Sequence, residues 1–311
     1  MDFIQPTSWA DALAAKAQAP DVLPVAGGTD VMVEMNFDVR RPPALLDLGR
    51  VAELAEWDTD GDRIRLGAGV SYTRLIDELG GRLPGLAMAA RTVGSPQIRN
   101  RGTVGGNLGT ASPAGDCHPS LLAGDARIEV ASVRGTRMIE AGDFYTGVKR
   151  SALAPDELIT AIHLDRPTGP EQFSKIGTRN AMVIAVAAFG LALHPERQEV
   201  GTGIGSAAPT PRRAPAAEAF LAGALADAGL WQSRGELPAT IVTEFGGLVR
   251  AAGAPIDDVR GTASYRLHAL DVMARRTLSW AWREYQEGRG ASAAALLVLS
   301  LIHISEPTRR S

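Results

Sequence analysis

Two hydrophobic rhythms alternate along the chain, one with a period near two and one near 3.6, and their order lays out the elements. Ser8 stands ahead of a helical stretch with Asp11 at its third turn position and Pro20 just past its end. That is the pattern of a capped helix. Val22–Val25 reads as a short strand broken by Ala26-Gly27-Gly28, and Thr29 or Asp30 is placed to cap the next helical stretch, Val31–Asn36. A second short strand, Ala44–Leu48, closes this first lobe at Gly49. Arg63–Gly67 alternates as a strand, and Ser71 precedes an amphipathic helix carrying Leu75, Ile76 and Leu79. Gly85–Thr92 predicts another helix, followed by strands at Ala126–Val133, Thr136–Ile139 and Ile159–Leu164.

Arg166-Pro-Thr-Gly-Pro170 is the best domain boundary. Beyond it, strands around Phe173–Gly177, Val183–Leu193 and Val200–Gly205 precede three helical segments, Ala214–Leu221, Pro238–Ala252 and Ala263–Glu287. Strands followed by helices predict an α+β domain. A length of 311 residues allows two domains or one large one. With 45% hydrophobic and 22% charged residues, the composition is that of a soluble globular chain and not of a disordered one.

Charge and cysteine usage narrow the chemistry. The net charge of −3 gives no basic field for nucleic acid. The single cysteine, Cys117, excludes an internal disulfide, a self-contained iron–sulfur cluster and a Cys-rich zinc site. The five histidines are scattered with no HxxxH pair, so no metal site is expected. Only Lys16, Lys149 and Lys175 are lysines. Met1–Ala10 lacks a basic region followed by an apolar one, and the apolar run Ala181–Leu193 is too short to cross a hydrocarbon core of about 30 Å as a helix. A cytoplasmic chain without membrane insertion is expected.

Two glycine-bearing segments carry the candidate chemistry. In Val25-Ala26-Gly27-Gly28-Thr29-Asp30 a strand runs into a diglycine turn and a helix start. Glycine permits close backbone approach to a ligand, and N–H groups at a helix start suit an anion such as a pyrophosphate. An ordinary tight turn would show the same pattern. The longer segment, Thr92 to Asp116, is dense in glycine and carries Asn100, Asn107, Thr110, Ser112 and Asp116 with little periodicity. A polar stretch of that length in a compact domain is usually a binding loop or disordered, and Ile98, Val104 and Leu108 argue against disorder.

These two segments resemble the paired flavin-binding loops of the FAD-binding medium subunit of molybdenum hydroxylases, a family that includes the xanthine dehydrogenase and carbon monoxide dehydrogenase medium subunits. The motif VGSPQIRNRGTVGGNLGTASPAGD is the most specific part. The resemblance continues through Phe144-Tyr-Thr-Gly147, Ala154-Pro-Asp-Glu-Leu158, Phe173-Ser-Lys-Ile-Gly177, Ala208-Pro-Thr-Pro-Arg212, Asp258-Val-Arg260 and Tyr265-Arg266.

It implies an α+β architecture. A two-lobed FAD-binding domain of the PCMH type spans 1–168, with lobes of about 1–58 and 59–168. A smaller α+β C-terminal domain with a three-stranded antiparallel sheet and helices spans 169–287, and the flavin lies in a cleft between the domains. Carried over by position, Ala26, Gly27, Gly28, Thr29 and Asp30 hold one side of the FAD pyrophosphate. Gly105, Gly106, Asn107 and Thr110 contact the diphosphate and ribityl chain. Ser112 and Asp116 match the end of that loop, where a carboxylate accepts from ribityl or ribose hydroxyls. Lys175 matches a lysine near the isoalloxazine edge, where a cation favours the anionic reduced flavin.

Relatives often carry an acidic residue in the stretch matching Met182-Val183-Ile184. Here Val183 is apolar, which sets aside a polar contact from that strand. The implied function is electron transfer from a [2Fe-2S] small subunit, beside a molybdopterin-binding large subunit, to an acceptor such as NAD or quinone. A stand-alone flavin oxidase or reductase of the same fold is the alternative.

Other patterns read as structural. Gly201-Thr-Gly-Ile-Gly-Ser206 fails the GxGxxG spacing, and Pro209 and Pro211 prevent an immediate helix, so a strand and turn are expected. Asp116-Cys117-His118 reads as a buried cysteine beside a histidine at a helix start. Arg99 and Arg101 face phosphate, a partner or solvent. Leu299 to Arg309 resembles a translated transposon-end adapter, so a non-native tail is expected over 299–311.

Overall fold

The computed structural model describes residues 1–288, and the tail over 299–311 lies outside the described residues. The chain divides into two compact units that interleave in sequence. Met1–Leu79, Val93–Ser112 and Asp125–Arg166 form the first; Gly80–Thr92, Pro113–Gly124 and 167–288 form the second.

In the first unit, β1 (Asp2–Ile4), β2 (Leu23–Val25) and β3 (Ala44–Asp47) make a parallel sheet in the order β1-β3-β2. Three-residue strands are too short to show alternation, which is why β1 has no sequence signal. The helix Trp9–Gln18 joins β1 to β2, and its first turn is capped by Ser8 Oγ accepting from Asp11 N–H at 3.1 Å. The buried Lys16 ammonium donates to Pro20 O at 2.7 Å and Val22 O at 2.9 Å, fixing the turn into β2.

The same unit contains β4 (Trp57–Asp60), β5 (Arg63–Gly67), β6 (Arg127–Ser132), β7 (Gly135–Glu140), the small hairpin β8 (Tyr145–Gly147) and β9 (Arg150–Ser151), and β10 (Leu158–Asp165). Five of these pair antiparallel in the order β4-β5-β10-β6-β7. Period-two alternation buries Ile64, Leu66, Ile128, Val130, Ile162 and Leu164 on one face. On the opposite face Glu129 accepts from Arg65 Nε at 3.2 Å and lies 2.6 Å from His163 Nε2, a cross-strand trio.

The glycine-dense stretch expected to be a loop holds two helices, Pro96–Arg101 and Val104–Thr110. Ser95 and Thr103 cap them, Thr103 Oγ1 accepting from Gly106 N–H at 2.9 Å. Glycine thins the apolar pattern by which helices are recognised, so the caps were the readable signal.

In the second unit, β11 (Glu171–Ile176), β12 (Ala187–His194) and β13 (Glu199–Gly205) form an antiparallel sheet in sequential order. One face carries Phe189, Leu191, Leu193, Val200 and Ile204 into a core with Leu221, Phe245, Leu270 and Leu278 from the helices Pro215–Asp227, Ala239–Ala252 and Ala263–Gln286. On β12 and β13 the other face is almost bare of side chains, while β11 presents Glu171, Phe173 and Lys175 there. Register pairs Ala188 with Gly205, Gly190 with Gly203 and Ala192 with Gly201, and the short helix His118–Ala123 packs onto this strip. A Cβ on Gly203 would sit 2.1 Å from Pro119 O, and one on Gly201 would sit 2.0 Å from Ala123 O. The Gly-x-Gly-x-Gly run lies in a strand, as expected, and its missing side chains make it a floor for a helix.

Gly203→Ala should destabilise the chain by about 2–3 kcal/mol, because the opposing atoms are backbone and cannot rotate away. Gly223 lies in the helix Pro215–Asp227 with nothing within 4 Å of an added Cβ. Gly223→Ala should gain about 0.5–1 kcal/mol from helix propensity. Urea denaturation of both variants checks the pair.

Candidate functional site

Within the first unit the fold joins the two glycine segments. Ala26–Asp30 leaves the C-terminal end of β2 and runs into the helix Val31–Asn36. Gly28 has φ of +74°, a backbone that favours glycine. Gly27 lies against the end of the helix Pro96–Arg101, where an added Cβ would be 1.9 Å from Arg101 O. Asp30 occupies the N-cap position but makes no cap hydrogen bond. Its Oδ2 instead accepts from Thr110 Oγ1 at 3.1 Å, linking residues eighty positions apart.

Gly105 and Gly106, adjacent in sequence, have different duties. A Cβ on Gly105 would meet Ala68 O at 2.5 Å, so this glycine serves packing. A Cβ on Gly106 meets only Thr103 Oγ1, at 3.1 Å. Asn107 Oδ1 is buried without a hydrogen-bond partner. Ser112 closes this segment, partly buried. Arg99 turns one guanidinium nitrogen onto Val93 O at 3.0 Å and Gly94 O at 3.1 Å, so that nitrogen is committed to the backbone.

Within the second unit the structure brings together Asp116 and Lys175. Asp116 precedes the helix seated on the glycine floor, and Lys175 lies in β11. Lys175 Nζ donates to Asp116 Oδ2 at 2.6 Å and to Thr92 O at 3.2 Å, using two of its three N–H groups. Both side chains are buried, and Asp116 Oδ1 has no partner. Burial pushes the Asp116 carboxyl up to about 6, against the opposing pull of Lys175. Cys117 is buried and His118 begins the helix, as expected.

Residues 1–167 match the family model of the FAD binding domain in molybdopterin dehydrogenase, and 172–281 that of the CO dehydrogenase flavoprotein C-terminal domain. The nicotine 6-hydroxylase medium subunit of Paenarthrobacter nicotinovorans is 30% identical over 285 residues, covering 89% of this chain and 95% of that one. The carbon monoxide dehydrogenase medium chain of Afipia carboxidovorans is 31% identical over 289 residues, with 89% and 95% covered. The structure of reconstituted CO dehydrogenase from Oligotropha carboxidovorans superposes with a TM-score of 0.82 at 29% identity, covering 91% of this chain and 98% of that one. The chain is an FAD-binding subunit of the molybdenum hydroxylase family.

The residues of this flavoprotein subunit fit the cofactor. FAD presents phosphate oxygens that need donors and sugar hydroxyls that need acceptors. The turn at Gly27-Gly28 and the capped start of the helix Val104–Thr110 expose backbone N–H groups for the former. The two orphaned buried oxygens, Asn107 Oδ1 and Asp116 Oδ1, suit the latter, since a buried acceptor without a donor is costly. Among the described residues, no group of three or more His, Cys, Asp or Glu is placed to hold a metal, and no helix is long and apolar enough to cross a membrane.

Sequence reasoning did not single out three supporting residues, one in the first unit and two in the second. Thr92 supplies a carbonyl to Lys175. Thr103 caps the second loop, and its position three residues before Gly106 is a readable capping signal. Arg266, buried, donates to Ser206 O at 2.6 Å and pairs with Asp258 at 2.5 Å, while Ser206 N–H donates to Pro113 O at 2.8 Å. That chain of bonds ties the segment leading to Asp116 to the sheet and gives the Asp258/Arg266 motif its role.

Gly106→Val should leave folding nearly intact while abolishing FAD retention, whereas Gly105→Ala should cost about 2–3 kcal/mol of stability. Thermal melts beside flavin-to-protein absorbance ratios separate the two. A pH dependence comes from Glu171, which accepts from Gly85 N–H at 3.0 Å. Burial pushes its carboxyl from 4.5 up to about 7. Between those values the folded chain holds a proton that the unfolded chain has lost, so stability falls as pH rises through this window. Glu171→Gln should flatten that fall by roughly 1–2 kcal/mol between about pH 5 and 8, discounted for partial exposure. Urea midpoints across the pH series measure it.

Proposed function

We propose that this chain is the electron-transfer subunit of a three-part complex. It receives electrons from a [2Fe-2S] small subunit, stands beside a molybdopterin-binding large subunit, and passes the electrons to an external acceptor such as NAD or a quinone. The Lys175–Asp116 pair carries the reading: a buried cation with a donor to spare, beside a carboxylate oxygen lacking one. Bound FAD takes up electrons singly or in pairs, which lets it couple a one-electron relay to a two-electron acceptor.

In this reading, Ala26, Gly27, Gly28, Thr29 and Asp30 hold one side of the pyrophosphate, and Gly105, Gly106, Asn107 and Thr110 contact the diphosphate and ribityl chain. Asn107, Ser112 and Asp116 orient the sugar hydroxyls, and Lys175 holds positive charge beside the isoalloxazine edge. The domains are 1–168 and 169–287, and the family models, which leave 168–171 unmatched between them, support that division.

The chain ending near residue 288, reconstituted with FAD and desalted, should retain about one flavin per chain. A colourless protein, both alone and co-expressed with iron–sulfur and molybdopterin subunits, would overturn the proposal. Steady turnover of an organic substrate by the isolated chain would favour a self-contained flavin oxidase. Lys175→Met should lower the flavin midpoint potential by roughly 30 mV or more, since a two-electron couple moves about 30 mV per 1.4 kcal/mol. Spectroelectrochemical titration reads that shift.

A further inference from the structure

Glu171, Phe173 and Lys175 share one face of β11, and the helix Pro84–Arg91 packs against that strand. The strand holds the helix at both ends. At its start, Gly85 N–H donates to Glu171 Oε2 at 3.0 Å. At its end, Lys175 Nζ donates to the carbonyl of the C-cap residue Thr92 at 3.2 Å. The carboxyl thus stands at the positive end of the helix dipole and the ammonium at the negative end. The spans agree as well: from Glu171 to Lys175 is about 13 Å of strand, and from Gly85 to Thr92 about 10 Å of helix. A Cβ on Gly85 would lie 2.9 Å from Glu171 Cβ, so the close seat at the helix start needs glycine. Gly85 O also accepts from Ser120 Oγ at 3.0 Å, in the helix His118–Ala123. That helix follows Asp116, whose Oδ2 accepts from Lys175 at 2.6 Å. The contacts therefore close a ring that runs from Glu171 through Gly85 to Lys175 and back along β11.

A carboxyl group withdrawn from water loses more than a hydrogen bond to a backbone N–H returns, so stability does not account for Glu171. Its bond to Gly85 fixes where the helix stands along β11, and the helix carries the carbonyl that holds Lys175. We infer that Glu171 is a positioning residue for Lys175, acting through the helix Pro84–Arg91. The inference rests on the proposed placement of Lys175 beside the isoalloxazine edge. With Thr92 O in place, the ammonium is shared between a neutral carbonyl and a carboxylate, and its third N–H is left for the flavin. Freeing the helix start lets Thr92 O withdraw, and the ammonium then closes onto Asp116, away from the ring edge. What passes along the helix is a position and not a charge, since a carboxyl or an amide oxygen can equally accept from Gly85 N–H.

Two readouts on the full chain test it. The first, on the FAD-free chain, is the exchange rate of the Lys175 ammonium protons with water, measured by nitrogen-15 NMR of labelled lysine. The chain has only three lysines, and buried Lys16, in the other unit, serves as the reference. The second is the flavin midpoint potential of the FAD-loaded chain. Glu171→Ala removes the acceptor at the helix start. It should speed Lys175 exchange by about threefold or more with Lys16 unchanged, and should favour oxidised over reduced flavin by about threefold, roughly 15 mV. Glu171→Gln keeps an acceptor and should match the parent in both readouts. Gly85→Ala pushes the helix start off the strand and should act as Glu171→Ala does, which keeps the test open if that variant fails to fold. In a Lys175→Met background, Glu171→Ala should move the potential no further. A lower melting temperature with Lys175 exchange and potential as in the parent would overturn the inference, because Glu171 would then serve stability alone. A Glu171→Gln shift in potential as large as that of Glu171→Ala would also overturn it, because charge and not position would be transmitted. If Lys175→Met by itself leaves the potential unmoved, the proposed placement of Lys175 at the flavin fails, and the exchange rates still decide whether Glu171 positions the ammonium.

Discussion

Backbone approaching backbone at glycine is the constraint on which both units depend. Protein interiors are packed as densely as organic crystals, so an added methyl group facing a carbonyl at about 2 Å has nowhere to go. The floor made by Gly190, Gly201 and Gly203 lets the helix His118–Ala123 lie directly on the sheet. The height of that helix sets where Asp116 stands, and hence whether its carboxylate meets Lys175 at 2.6 Å. In the first unit, Gly27 packs against Arg101 and Gly105 against Ala68, which draws the two glycine segments together. Several of these glycines thus serve packing, and Gly106 differs in having little near its missing side chain.

The buried pair of Asp116 and Lys175 is not explained by stability. Withdrawing two charges from water costs several kcal/mol, and their mutual attraction rarely exceeds that cost. Here the network is also incomplete, with one carboxylate oxygen unpartnered and one ammonium N–H unspent. A half-satisfied polar network is expensive in a low-dielectric interior. A ligand bearing hydroxyls and a polarisable ring edge would complete it. Around the pair stands a second layer of fixed groups: Ser206 N–H on Pro113 O, and Arg266 on Ser206 O with Asp258 as counter-ion. This layer makes the local geometry a property of the fold and not of two flexible side chains.

The loop after β11 applies the same economy of charge in reverse. Arg179 is folded onto its own backbone and Val183 onto Gly177, leaving Met182 and Ile184 outward. Arg179 keeps its charge at the surface, beside the two apolar side chains that it helps to position.

Much of the fold was legible from local pattern. The strands Arg63–Gly67 and Glu199–Gly205 and the helices Trp9–Gln18 and Ala239–Ala252 lie within a few residues of their predicted spans, because alternation, caps and prolines act between near neighbours. The three-residue strand Asp2–Ile4 escaped notice, being stabilised by its partner Ala44–Asp47 and not by its own sequence. The helices inside the glycine-dense stretch escaped for a related reason, since tertiary contact compensates their poor propensity. Short-range chemistry accounts for the element order, for the two glycine segments and for the polar residues that they carry. Long-range packing placed Thr110 on Asp30, buried Lys175 against Asp116, and made a dinucleotide-like glycine run the floor for a helix. Those outcomes depend on which residues distant in sequence are brought within a few ångströms, and that is fixed by packing of whole elements, not by any one of them.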